Sequence, residues 1–515
     1  MLYIYSIFIK FYLFFYIIVK DIYIYIGNNY RKLTLNDKYF FQYINYNKKK
    51  EYKDKSDKAS ILIDCFPIAQ WIFVNSIIAN LLAEKYNAKI ISYGLQKRSY
   101  KLNKLYNSFN CREHLRVQLN MSEEFESLKY FINIITEINT KSDLLNYEID
   151  GVNIGLDIYD TILKSGLPTV NIKSFRTYKF IILGLRYYFF AKRIISKKNI
   201  KFLLLSHDNY ISMGTIAKVA WKMNIPVYFA NPFEIKKINK PFDLYGKFIQ
   251  YPKYFNNLSS INKRSGIEWS STMLNRRISG EVGVMMNYQI KSAFGNQLIE
   301  RQTKNTDKLK VVIATHCFFD SPNCLGWMLF PDFYEWITYI GKLSIDLNYE
   351  VYIKPHNDYL PGTIKILKKL VNEYPLLQLI NPSTTWHQLK AEGVKTVLTC
   401  YGSIGHELPL LGFKVINAAY NPHIAYNFNL HPKTIEEYEN ILKHKINEDF
   451  VFEKNDIFEF FYIHKNVLNP DNLFFSSTQG FLNKIKNGEN VFKLFLDESQ
   501  TFEHKVINYF SENEF

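Results

Sequence analysis

The chain has 515 residues, a hydrophobic share of 47% and a formal charge of +16, which suits two α/β domains of ordinary size with extensions and excludes an intrinsically disordered protein. Its lysines are spread among Asn, Ile and Tyr, and no zinc finger, RNP signature or basic repeat accompanies them, so no nucleic-acid partner is expected. Cysteines 65, 111, 317, 324 and 400 form no disulfide-like framework, and a reducing cytoplasm is the expected compartment.

Residues 1–57 form a hydrophobic extension and a Lys-rich linker. Leu2 to Ile26 is almost wholly aromatic and aliphatic, but Lys10, Lys20 and Asp21 cut it into pieces shorter than the roughly 20 residues a membrane span needs. Tyrosines and lysines interleaved with Ile and Phe suit a segment lying at a membrane interface, with the ammonium groups reaching water. An added strand or helix on the protein, or a start assigned too far upstream, fits the same composition. The stretch from Asn45 to Lys58 reads as a solvated linker, and the folded part is expected from about Ala59.

From there strands and helices alternate. Ser60 to Asp64 predicts a strand, Ala69 to Tyr86 an apolar helix and Lys89 to Tyr93 a second strand. Lys201 to Leu205 is a strand that ends in Ser206-His207-Asp208-Asn209-Tyr210, followed by a helix containing Gly214 and a strand over Pro226 to Ala230. The segment from Asn231 to Asp307 is less regular: Tyr251 to Ser271 is rich in Asn, Ser, Lys and aromatics, and Met285 to Gln302 reads as a polar helix.

The second half repeats the plan. Strands are predicted over Lys308 to Thr315, Glu350 to Lys354, Thr396 to Cys400 and Lys414 to Asn417, with helices over Asp332 to Asn348, Thr363 to Tyr374 and His406 to Leu411. Such alternation makes a parallel, doubly wound sheet, whose ligands bind outside the carboxyl ends of the strands. His316, Asp320, Lys354, His356, Ser403 and Glu407 all fall at or just past strand ends. The fold class is therefore α/β, with two Rossmann-like halves and a cleft between them as the natural active site. The expected divisions are 1–57, 58–300, 301–440 and 441–515; helices are predicted over Thr434 to Lys445 and Asp456 to Lys465, then an amphipathic tail with Phe481, Leu482, Val491, Phe492, Leu494 and Phe495 as its core contacts.

The stretch Leu398-Thr-Cys-Tyr-Gly-Ser-Ile-Gly-His-Glu407 runs from a strand through a glycine-bracketed turn into a helix. Gly402 and Gly405 permit left-handed or close-approach backbone, Ser403 adds a hydroxyl, and the helix amides face an anion. The two oxygens of Glu407 suit the paired hydroxyls of a ribose. An ordinary capped turn fits the same residues.

Together with Lys354-Pro-His356, Asn421-Pro-His423 and Ser206-His-Asp-Asn-Tyr210, this stretch resembles the two-domain GT-B glycosyltransferases of bacterial capsule and lipopolysaccharide synthesis, over roughly residues 58–440. The resemblance implies a carboxyl-terminal nucleotide-sugar domain whose donor-binding residues are His316, Asp320, Lys354, His356, Gly402, Ser403, Gly405, His406, Glu407 and Asn421. It also implies an amino-terminal acceptor domain lending a base, with His207, Asp208, Asp160 and Asp64 as the candidates, and terminal helices packing back across the cleft. The partners implied are a nucleotide-sugar donor and a glycan or lipid-linked acceptor, met in the cytoplasm or at the inner face of the membrane.

The chain also departs from the group. Enzymes using a CMP-linked acidic sugar often carry His-Pro where this chain has His356-Asn357, and teichoic-type polymerases carry Asp-Tyr-Ser-Ser where it has Cys400-Tyr-Gly-Ser403. A nucleotide-sugar epimerase, a polyol-phosphate transferase and a non-catalytic glycan- or nucleotide-binding protein remain alternatives. No cofactor is expected, and no metal: His316, His356, His406 and His423 lack zinc-site spacing, and Asp157-Ile-Tyr-Asp160 lacks that of an Asp-x-Asp magnesium pair.

Overall fold

Short β-branched and aromatic runs bounded by polar turns form two parallel sheets, both buried by helices. The computed structural model describes residues 37–50, 59–232, 235–238, 246–286, 291–295, 298–357, 359–468, 484–485 and 487–512, with positions 8, 12, 15, 16 and 19.

The first sheet contains β1 (Ser60–Asp64), β2 (Lys89–Gly94), β3 (Glu113–Arg116), β6 (Ile200–Leu205), β7 (Val227–Ala230) and β8 (Ile235–Ile238), in the order β3-β2-β1-β6-β7-β8. All neighbours run parallel except β8, which is antiparallel to β7. A small hairpin of β4 (Glu148–Ile149) and β5 (Val152–Asn153) stands outside it. The second sheet contains β9 (Lys310–Ala314), β10 (Glu350–Lys354), β11 (Leu377–Leu379), β12 (Val394–Thr399) and β13 (Lys414–Asn417), in the order β11-β10-β9-β12-β13 and parallel throughout. Each order reverses direction once, between β1 and β6 and between β9 and β12. Those two reversals are the switch points at which open parallel sheets bind ligands.

The described residues divide into two compact units, one drawn from Met1–Ile162, Val170–Asp243 and Asn472–Phe515, the other from Leu163–Thr169 and Leu244–Asp471. This corrects the boundary expected at residue 300. The segment read as irregular holds the helices Tyr251–Asn256 and Ser260–Ile278, and the longer one packs on the helix Lys454–Tyr462 of the second unit. Its buried face is Gly266, Ser270, Leu274 and Arg277, which carries almost no hydrophobic signal. Conversely, the described residues between Met285 and Gln302 are not helical.

The expected last division, 441–515, splits. Helix Lys454–Tyr462 belongs to the second unit, whereas helix Val491–Glu512 packs on helix Ala69–Lys85 of the first. Leu494 and Phe495 are buried there, and Val491 and Phe492 pack against the same core; Phe481 and Leu482 lie outside the described residues. The linker reading also needs correction at its start. Asp37–Lys48 is a helix whose Phe40, Tyr43 and Ile44 are buried in that core. Tyr43 meets Phe495 with ring centroids 5.3 Å apart, and Lys50 pairs with Glu503. Among the described residues no helix is long and apolar enough to cross a membrane.

Candidate functional site

At the switch point of the second sheet lies a pocket of about 470 Å³, formed wholly within the second unit. Its floor comes from the carboxyl ends of β9, β10 and β12: Thr315 and His316, Lys354 through Asn357, and Thr399 with Tyr401 through Ile404. Arg277, Phe294, Trp386 and Glu407 complete the wall.

Lys354 is the last residue of a strand buried along its whole length, and its own side chain is 3% exposed. Its ammonium donates to Asn357 Oδ1 at 2.9 Å and lies 5.5 Å from the centre of the Trp386 ring. No carboxylate pairs with it among the described residues. Burial pulls its pKa down to about 8, the direction expected of a cation without a counter-charge.

His316 is held between aromatic rings, with centroids 4.9 Å from Phe333 and 4.7 Å from Tyr401. Its Nε2 accepts from the Cys400 amide at 3.3 Å and lies 3.1 Å from the Thr399 hydroxyl, so that nitrogen carries no proton. Burial first, and the charge of His356 second, push its pKa down to about 3. The ring therefore enters the pocket neutral. His356 itself is exposed at the pocket's rim.

The glycine-bracketed turn differs from its sequence reading in one respect. Neither Gly402 nor Gly405 has a positive φ. Both serve close approach: a Cβ on Gly405 would lie 2.6 Å from the His423 ring, and one on Gly402 would lie 3.3 Å from His316. The helix that follows Ser403 is only Ile404–Glu407, and the amides of Ser403 and Ile404 have no backbone acceptor among the described residues. Glu407 is 1% exposed and takes a hydrogen bond from Arg277 Nε.

Of the ten residues expected to bind a donor, His316, Lys354, His356, Gly402, Ser403 and Glu407 line this pocket. The other four are placed elsewhere. Asp320 is exposed and lies 3.8 Å from the Lys164 ammonium. Gly405 and His406 pack behind the wall, His406 Nδ1 standing 3.0 Å from His423 Nε2. Asn421 is buried, its amide nitrogen donating to Ala419 O and its oxygen accepting from the His423 amide. The sequence reading missed Arg277, Phe294, Trp386 and Tyr401. Trp386 follows Thr385, whose hydroxyl caps its helix, a signal legible in sequence; the other three carry none.

The four candidate bases all belong to the first unit. Asp64 ends β1 at that sheet's switch point, where its Oδ1 accepts from the Ser206 amide at 3.2 Å. It is buried, and burial raises its pKa to about 7. His207 stacks on Trp71 and meets Phe66 at 5.0 Å between centroids. Asp208 lies 3.3 Å from the Lys236 ammonium. Asp160 is fully buried in the helix Gly155–Lys164. Tyr210, just after His207 and Asp208, has φ 65° and opens a π-helical turn, a local distortion of the kind found near functional sites. Among the described residues no three His, Cys, Asp or Glu side chains are grouped to hold a metal ion.

No protein-family model matches the chain, and no curated protein matches it in sequence. Among solved structures it is similar to the Thermosulfurimonas dismutans KpsC β-Kdo 2,4 transferase at 12% identity, over 51% of this chain and 79% of that one, with a TM-score of 0.32. It is also similar to the S. aureus MnaA–UDP co-structure (12% identity, 84% and 97% covered, TM-score 0.24) and to Acinetobacter baumannii MurG (9%, 84% and 99%, 0.21). Likeness at this level assigns no residue a role. By its own sheet orders the chain has two Rossmann-like, doubly wound domains.

Proposed function

We propose that this protein is a glycosyltransferase that takes a sugar from a nucleotide-sugar donor held in the second unit's pocket and passes it to a growing surface glycan. The observation that carries the reading is Lys354: a buried ammonium that pairs with no carboxylate among the described residues, facing a pocket with an aromatic wall at a switch point. A cation held so awaits an anion. The sugar's anomeric carbon parts from the phosphate oxygen, which keeps the electron pair, and the acceptor hydroxyl oxygen forms the new bond. Lys354, His356 and the Ser403 hydroxyl meet the charge that grows on the leaving phosphate, and Trp386 and Phe294 offer faces to the base. The acceptor hydroxyl gives its proton to a general base, for which His207, Asp208, Asp160 and Asp64 are the candidates. Turnover is expected to be independent of metal, and EDTA should leave it unchanged.

The reading is tested by thermal shift of the full-length chain against UDP, GDP, CDP, CMP and their sugar conjugates. A ligand at 100 times its Kd stabilises by about 2.7 kcal/mol, and the response should vanish in K354M. Silence from every nucleotide sinks the proposal. Solved structures of UDP-N-acetylglucosamine 2-epimerases are also similar to the chain, at 10% identity. Conversion of the nucleotide sugar with no acceptor present would make this protein an epimerase instead.

A site on the cytoplasmic face of the membrane belongs to the same reading. Phe8, Phe15 and Val19 are exposed, and Lys179 lies over the rings of Tyr12 and Tyr16. Aromatic groups beside cations suit an anionic lipid surface. Flotation with phosphatidylglycerol vesicles but not with phosphatidylcholine vesicles is the expected outcome.

A further inference from the structure

We infer that Arg277 is the positioning residue of the pocket, holding Glu407 and the Val284–Met286 wall in one arrangement; this rests on the nucleotide-sugar reading above. Arg277 stands in the last turn of helix Ser260–Ile278 and is 3% exposed. Its Nε donates to Glu407 Oε1 and its Nη1 to Val284 O at 3.0 Å, so one planar fork fixes two separate stretches of chain. A carboxylate buried as deeply as Glu407 needs a counter-charge to stay in place. With one oxygen committed to the guanidinium, the carboxylate's direction is set.

Neighbouring contacts anchor the fork itself. The ring of His387 meets Ile278 O at 2.8 Å, tying the helix end to helix Trp386–Ala391, whose Trp386 amide donates to Ala293 O at 2.9 Å. Gly280, at φ 103°, brings the chain against Phe294 and Gly295, where a Cβ would lie 3.2 Å from Gly295 Cα. Arg277 is thus the hub through which the helix, the loop after it and the glycine-bracketed turn form one wall. Because it also faces the pocket, a direct contact with ligand is the rival role, and the two roles differ in additivity.

The test uses the full chain and calorimetric titration with UDP, GDP, CDP and CMP. R277M and E407Q should each weaken binding at least tenfold, the double variant should be no weaker than E407Q, and R277K should recover part of the loss. Losses that multiply in the double variant, or R277M binding like wild type, would overturn positioning. Hydrogen exchange without ligand supplies an independent arm. R277M should speed exchange in both 281–286 and 403–408, whereas E407Q should leave 281–286 protected. Unchanged protection of both stretches in R277M would also overturn the inference. If the wild type takes none of the nucleotides, the ligand reading fails while the exchange arm still decides the role of Arg277.

Discussion

Lys354 concentrates the chemistry of the pocket in one titratable group. Its pKa lies near 8 in the folded chain against an ordinary 10.5, so between those values the unfolded chain binds more protons than the folded one. Stability contributed by this residue therefore rises as pH climbs through that window, by roughly 3 kcal/mol in full. The difference between wild type and K354M in urea unfolding at pH 7.5 and at pH 10 should show it, with K354M the more stable at the lower pH. Anion binding runs the other way. It needs the ammonium, so nucleotide affinity should fall up to about tenfold per unit above pH 8 and should show no such fall in K354M. His316 behaves differently at the same floor: with its pKa near 3 it stays neutral wherever the protein works, so H316N should alter fit without altering that pH profile.

Among the elements, the strands and helices that alternate in both halves were legible, helices Ala69–Lys85 and Thr363–Glu373 starting where their readings start. Ser60–Asp64, Glu350–Lys354 and Lys414–Asn417 match their sequence readings end to end, because a strand buried on both faces is written as an unbroken apolar run. Helix Ser260–Ile278 was illegible because its packed face is built from a glycine, a serine and an arginine around Leu274, and Arg277 went unseen with it. Six of the ten expected donor residues share the pocket because strand ends fix their place; Asp320 and Asn421 sit in loops whose course no periodicity encodes. Helix Asp37–Lys48 was hidden by the lysines after it. It contributes Phe40, Tyr43 and Ile44 to the first unit's core, each worth about 1.5–3 kcal/mol when fully buried. A chain starting at Ala59 should accordingly lose several kcal/mol, seen as a large drop in Tm or as insolubility. One starting at 36 should melt close to the full chain, and equal melting of both truncations would show that the helix contributes nothing.

At the scale of the whole molecule, buried histidines weigh on the acid response of the second unit more than on that of the first. The second unit holds five histidines whose pKa values burial drives down: His316, His406, His423, His431 and His464. Each is neutral when folded but takes up a proton near pH 6.5 when unfolded, so each withdraws stability as pH falls below that value. In the first unit His114 acts in the same sense, as do Glu113, Asp143 and Asp150, whose carboxyls are held below their ordinary range, but the buried Asp64 and Asp157 oppose them. A carboxyl raised to about 7, as in Asp64, is protonated in the folded state first, and between pH 7 and 3.8 that adds stability as acid is added. Glu459 and Asp456 do the same in the second unit, but against five histidines. Acidification from pH 7 to 4.5 should therefore loosen the second unit first. Pulsed hydrogen exchange read by mass spectrometry should show peptides from 310–446 losing protection while those from 60–94 and 200–230 keep theirs. Simultaneous loss in both sets would mean that the buried histidines do not govern the acid response. H406N with H423N, which removes two of the five groups, should move the second unit's transition to lower pH if the packing is kept.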